Sequence, residues 1–144
     1  MKFTKEEFER IKEERNLSNR FSVVNNIYVT EVGEGYGVVE MDVDEDKMNP
    51  IGTIHGGCIF TMCDNAAGTA AVSLGNWVTT VDADIHYLRP TLNKTHLRAE
   101  SRVIKAGKKI IVCEVNVTDQ DGIELAYGIF SFMTLEKTYA EMNK

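Results

Sequence analysis

One carboxylate stands in a stretch that is otherwise apolar. From Gly56 to Leu74 the chain runs through Cys58, Ile59, Phe60, Met62, Cys63, Ala66, Ala67, Ala70, Ala71 and Val72, and Asp64 is its only charged residue. Such a run is apolar on nearly every side, the mark of a buried helix. Aspartate is a mediocre helix former there, and burying a lone carboxylate is costly. Asp64 is therefore either paired with a donor, or facing a water pocket, or placed there for chemistry. A carboxylate can attack a carbonyl placed within its reach. His55-Gly56-Gly57 opens the same helix. A helix start offers unpaired N–H groups and the positive end of the dipole, and glycines let a ligand approach the backbone. That combination can polarise a carbonyl or hold an oxyanion. Paired glycines also serve as plain tight turns.

Distance limits how these parts cooperate. Gly56 and Asp64 are eight residues apart, roughly 12 Å along one helix. One carboxylate cannot attack a carbonyl held at its own helix start. Two antiparallel copies of the helix solve this, each start lying near the other's Asp64. The small residues Ala67, Gly68 and Ala71 beside Asp64 would permit close packing. The residues favour a two-fold dimer with two composite sites.

The elements around this helix follow from turn and periodicity signals. Thr4 and Glu7 form a capping box for a short amphipathic helix over 4–15. Strands are expected at Ile27–Val32 and Tyr36–Val43, joined through Gly33-Glu34-Gly35. Asp44–Thr53 reads as a loop, and Gly75 as the helix stop. Strands at Trp77–Leu88, His96–Ile104, Lys109–Thr118 and Ile123–Leu135 follow, with short turns that make neighbours antiparallel. The expected class is α+β, a sheet wrapped around one central helix. Residues 1–20 form an N-terminal helix and lead-in, and 21–144 the main body of a single domain.

Asn49-Pro50-Ile51-Gly52-Thr53-Ile54-His55-Gly56-Gly57, followed by Asp64, resembles the signature of hot-dog-fold thioesterases. The branch is that of the phenylacetate-pathway PaaI enzymes and the thioesterase superfamily member-2 type. The similarity extends to Thr80-Val81-Asp82 and Tyr87-Leu88-Arg89-Pro90, and covers roughly 38–135. The resemblance implies a hot-dog fold with an extra N-terminal helix, and acyl-CoA thioester hydrolysis at composite dimer sites. Asp64 would be nucleophile or general base, and the Gly56 N–H would polarise the carbonyl. Asn49 would orient water or substrate, His55 would hold the loop, and Thr80 would lie near the attacking water. Gly57 would border the substrate, and the basic Arg89, Lys105, Lys108 and Lys109 would meet the CoA phosphates. CoA is then part of the substrate, and no further cofactor is implied. Homodimers that pair again into homotetramers are expected.

Other constellations carry less. Asp82, Asp84 and His86 alternate along one strand, but three ligands on one flat strand converge poorly on a metal, so a polar face or subunit contact is expected. His96 reads as a surface residue at a strand edge. Cys58 lies in the first helical turn, where a thiolate is stabilised, but no residue supplies its base. Cys63 and Cys113 read as core. The odd cysteine count without CxxC suggests reduced thiols and a cytoplasmic location.

The 144 residues suit one domain, and a 43% hydrophobic, 26% charged composition argues against disorder. A net charge of −6 speaks against a nucleic-acid partner. No run approaches the ~20 apolar residues of a membrane span. Alternatives to hydrolysis are a non-catalytic acyl-CoA sensor, since hot-dog domains also bind ligands, and a dehydratase. The retained Asp64 and the HGG placement of the histidine favour hydrolysis.

Overall fold

The computed structural model describes residues 3–139. Helix α1 spans Lys5–Ser18, longer than the amphipathic pattern suggests. Thr4 caps it as expected: its hydroxyl accepts from Glu7 N at 3.1 Å while Glu7 Oε1 accepts from Thr4 N at 3.0 Å. The lead-in beyond α1 holds a second short helix, α2, at Arg20–Val24. Strands β1 (Ile27–Gly33) and β2 (Tyr36–Asp42) form the expected hairpin. A 3-10 turn at Glu45–Lys47 interrupts the loop that follows. Helix α3 (Gly56–Val72) is the central element. Gly75 ends that segment with φ 124°, a backbone angle only glycine takes easily.

Four strands complete the sheet: β3 (Asn76–Tyr87), β4 (His96–Ala106), β5 (Ile110–Thr118) and β6 (Glu124–Thr138). The order is β1-β2-β4-β5-β6-β3, antiparallel throughout. Consecutive strands pair except on either side of β3. β2 pairs with β4, and β3, set off by α3 before it and the 88–95 connection after it, pairs with the last strand, β6.

The inner faces follow the pleat. Ile111, Cys113, Val115 and Val117 of β5 are buried in alternation with half-buried neighbours, as a one-face-covered strand requires. They pack with Val39, Leu97, Ala99, Phe130 and Phe132 around Ile59, Met62, Cys63 and Ala66 of α3. Close approach depends on small residues. A Cβ on Gly37 would come within 2.8 Å of the Ala66 carbonyl, so only glycine lets β2 lie this near the helix. Ala67 and Ala71 are fully buried in this core, and the Cys113 thiol lies 3.6 Å from the Ala67 carbonyl. Two of the three small residues expected to meet a second copy, Ala67 and Ala71, are thus packed on the chain's own sheet, while Gly68 lies against Arg15 of α1.

The two sheet edges differ. At β1, the Asn16 side chain donates to Val29 O and accepts from Val29 N, both at 2.8 Å, so α1 covers that edge. At β3 nothing among the described residues pairs with the outer edge, over a strand of 12 residues. Among the described residues no helix is long and apolar enough to cross a membrane.

Candidate active site

The loop before α3 is tied at several points. His55 N donates to Lys47 O at 2.7 Å, Asn49 N to Thr53 O at 2.8 Å, and the buried Ile54 N to Thr91 Oγ1 at 2.9 Å. Asn49 works inside this loop. Its Oδ1 accepts from Ile51 N and Thr53 N at 3.1 and 3.0 Å, and its Nδ2 donates to Thr53 Oγ1 at 2.6 Å. Gly52 turns the loop with φ 83°.

These ties aim the start of α3. His55 is its N-cap, and its Nδ1 accepts from Gly57 N at 2.8 Å. That bond places the ring proton on Nε2. Cys58 N donates to His55 O at 2.9 Å. The Gly57 and Cys58 donors are therefore satisfied, while nothing among the described residues accepts from Gly56 N. One open N–H remains at the positive end of the helix. Tyr87, at the end of β3, lies across the same turn: its hydroxyl donates to Gly56 O at 2.7 Å, and a Cβ on Gly56 would stand 3.2 Å from that oxygen. Sequence reasoning did not place Tyr87 here.

Two turns further along α3, Asp64 is half-buried and held by β3. Thr80 Oγ1 donates to Asp64 Oδ1 at 2.8 Å. A β-bulge between Thr80 and Asp82 makes this possible. Strict alternation would put Thr80 on the face of Asp82, Asp84 and His86. The irregularity turns Thr80 toward α3 with Val78, while Ala83 and Ile85 pack on the core and the acidic residues point outward. Asp84 and His86 lie 3.5 Å apart on that outer face, and no metal cluster forms among the described residues.

A cavity of about 120 Å³ beside Asp64 and Thr80 is lined by Gly68, Trp77, Val78 and Phe132, and by Arg15 of α1. A second hollow of about 260 Å³ on the other flank of Asp64 is bordered by Phe21, Phe60 and Thr61. A third, of about 300 Å³, reaches His55 and Gly57 at the helix start. Burial pushes the Cys58 thiol above its ordinary value, with only a partial counter-pull from Lys47, and its sulfur lies 3.3 Å from Met41 Sδ. That environment suits a packed thiol rather than a thiolate. Cys63 and Cys113 are pushed by burial to about 12.

The basic residues fall into two groups. Arg89 sits at one end of β6, donating to Glu124 O at 2.6 Å. Lys108 and Lys109 are at the other end, where their carbonyls meet Thr134. Nine residues of strand separate Leu125 from Thr134, roughly 30 Å, so one chain does not bring these cations to one phosphate group. His96 is not a simple edge residue. It closes an acidic clasp, with Nδ1 2.8 Å from Asp42 and Nε2 2.9 Å from Glu40.

The profile of the family described as Thioesterase superfamily matches residues 51–126. Human acyl-coenzyme A thioesterase 13 is 30% identical over 114 residues, covering 78% of this chain and 81% of that protein. The E. coli PaaI protein from the phenylacetic acid degradation operon superposes with a TM-score of 0.85 at 23% identity, over 90% of this chain and 94% of that one. The shared architecture is the hot-dog fold. A hypothetical thioesterase protein of Streptococcus pneumoniae, solved with coenzyme A, superposes with a TM-score of 0.76 at 26% identity, over 83% of this chain and 96% of that one. Solved variants of it replace an aspartate and a threonine sixteen positions apart by alanine.

Proposed function

The chain belongs to the thioesterase superfamily, and on that premise we propose that it hydrolyses acyl-CoA thioesters to the free acid and CoA, at sites that two copies build together. The observation that carries the reading is an open backbone donor and a held carboxylate on one helix. Gly56 N is open at the start of α3, and Asp64 is fixed by Thr80 two turns on. Relatives point the same way: acyl-coenzyme A is in the name of one and coenzyme A in the structure of another. Asp64 and Thr80 are also sixteen residues apart, the spacing of the two positions varied in the Streptococcus protein.

In this reading the thioester carbonyl accepts from Gly56 N–H, and negative charge develops at the positive end of the helix, where it is stabilised most. Thr80 occupies Asp64 Oδ1 and leaves Oδ2 for the reaction. As general base, Oδ2 takes a proton from water while the water oxygen adds to the carbonyl carbon. The tetrahedral oxyanion then collapses, the C–S bond breaks, and the proton passes to the departing sulfur. As nucleophile, Oδ2 adds directly, CoA leaves, and water opens the resulting anhydride. Asn49 and His55 serve by fixing the loop that aims the Gly56 donor.

Gly56 and Asp64 of one copy remain roughly 12 Å apart along α3, so the acceptor and the attacking group come from different copies. The open edge of β3 is the surface that suits this pairing, because an unpaired strand edge seeks a second strand. Antiparallel pairing of two β3 edges would also bring Arg89 of one copy toward the Lys108–Lys109 end of the other, making one cationic grip for the CoA phosphates.

A thiol-release assay with short, medium, long and aryl acyl-CoAs tests the reading. Wild type should turn over at least one class, and Asp64→Asn should lose about 10³-fold or more while still binding acyl-CoA. Silence from wild type across the panel, with acyl-CoA bound in calorimetry, would replace the enzyme by a sensor.

A further inference from the structure

Helix α1 contributes one charged residue to the cavity beside Asp64. Arg15 lies against the bare backbone of α3 at Gly68, its Nη2 3.4 Å from where a Cβ would stand. Nη2 donates to Asn65 Oδ1 at 3.2 Å, and Asn65 Nδ2 in turn donates to Ser22 Oγ at 3.1 Å, so the side chain is held from α1, α2 and α3 together. Nε is buried and has no acceptor. Among the described residues no carboxylate lies within ion-pair distance of the guanidinium. Burial draws Arg15 below its ordinary value, against the opposing pull of Tyr139 and Asp64. A fixed cation that lines a cavity and has no carboxylate partner among the described residues is a receptor for an anion.

The position defines which anion. Asp64 and Gly68 are four residues apart and share one face of α3, a separation of roughly 6 Å. The apolar wall of Val78, Trp77 and Phe132 borders the same space. An acyl group whose thioester carbon sits at Asp64 and whose methylenes follow that wall would reach the guanidinium with its far end. The geometry points to Arg15 as the specificity-determining residue of the acyl site, selecting acyl groups that end in a carboxylate, the half-thioesters of short dicarboxylic acids. This rests on the thioesterase reading. A plain alkyl chain would leave the cation without a counter-charge, whereas a terminal carboxylate at the cavity wall supplies one.

The test compares acyl-CoAs of one shape and different charge. Glutaryl-CoA and 5-methylhexanoyl-CoA differ by a carboxylate exchanged for an isopropyl group; succinyl-CoA and 4-methylpentanoyl-CoA form a shorter pair. Wild type should favour the carboxylate member of at least one pair by about tenfold or more in kcat/KM, expressed mainly in KM. In Arg15→Met that ratio should fall to one or reverse, and Arg15→Lys, which keeps the charge and loses the fork, should fall between. Equal treatment of both members by wild type would overturn the inference without any variant. So would an Arg15→Met that slows both members equally and leaves the ratio unmoved, the mark of a purely structural residue. Should wild type cleave no acyl-CoA of the broader panel, the thioesterase reading itself falls; cleavage of plain acyl-CoAs without preference sinks only Arg15.

Discussion

Thr80→Val keeps the shape of the side chain and removes the donor to Asp64. Under the proposed mechanism kcat should fall by about 10–100-fold with KM little changed, because an orienting bond acts on the reacting carboxylate and not on binding. Gly56→Pro is the sharper probe of the carbonyl site. Gly56 is the first residue of α3, where proline is tolerated, and His55, at φ −58° and ψ 131°, already has the extended backbone that precedes proline. The substitution deletes the one open N–H, and a loss of about 10²–10³ in kcat is expected with the helix intact by circular dichroism. Pairing it with Tyr87→Phe, which removes the oxygen nearest the new ring, separates lost donor from crowding. A Gly56→Pro enzyme of full activity would remove Gly56 from the mechanism. Asp64 and Gly56 were legible in the sequence because each is odd for its local surroundings: a charge in an apolar helix, and glycines at a helix start. Tyr87 and Arg15 were not. Each reaches the site from 31 and 50 residues away from its hydrogen-bond partner, and only the tertiary path decides such meetings.

At the scale of elements, the bulge in β3 governs where Thr80 points. The sequence carries no mark of it: Thr79-Thr80-Val81-Asp82 reads as uninterrupted strand, and simple alternation sends Thr80 outward with the aspartates. Val81 is the extra residue of the bulge, so deleting it should leave Thr80 opposite Phe132 and on one face with Val78, Ala83 and Ile85, in unbroken alternation. Turnover within about tenfold of wild type is expected, with the far-ultraviolet spectrum retained; a loss as large as that of Thr80→Val would show that the bulge itself aims Thr80. The clasp between the end of β2 and the start of β4 makes a prediction in pH. Hydrogen bonds from Glu40 and then Asp42 raise the His96 pKa against a smaller effect of burial. In Glu40, burial pushes upward, but bonds from Thr30 and His96 outweigh it and the net shift is downward. The histidine's contribution to stability is complete below its unfolded value of about 6.5 and is lost as pH rises through the raised folded value. That of Glu40 is present above about 4.3 and is lost in acid. His96→Leu should therefore lower Tm more near pH 5.5 than near pH 9. A difference independent of pH would leave the clasp a packing feature only.

At the scale of the molecule, mixing tests the proposed division of each site between two copies. Asp64→Asn and Gly56→Pro should each be nearly inactive. Co-expressed, they should recover about a quarter of wild-type activity if half the dimers are mixed and each mixed dimer holds one intact site. No recovery would place Gly56 and Asp64 of a single chain in one site. Light scattering should report a dimer or a multiple of it. The six strands and the central helix were readable from period and turns, as was the capped N-terminal helix. The neighbour of β3 was not, because short turns identify hairpins and say nothing of a strand that leaves its predecessor's side. The use of Ala67 and Ala71 was also hidden: small residues permit close packing without naming the partner, and here the partner is the chain's own sheet.

The pairing of β3 with β6 alone has a consequence during synthesis. The ribosome makes residues 76–87 early, but their in-chain neighbour, Glu124–Thr138, comes near the end of the described chain. Until that strand leaves the exit tunnel, β3 has both margins open, and neither Thr80 nor Tyr87 is set against α3. The nascent protein thus carries a long, sticky ribbon at the stage when two such chains on one message lie close together. A ribosome-bound chain stalled when residue 87 has emerged and residue 124 has not should be cut by protease within 76–87, and one stalled after residue 138 has emerged should resist.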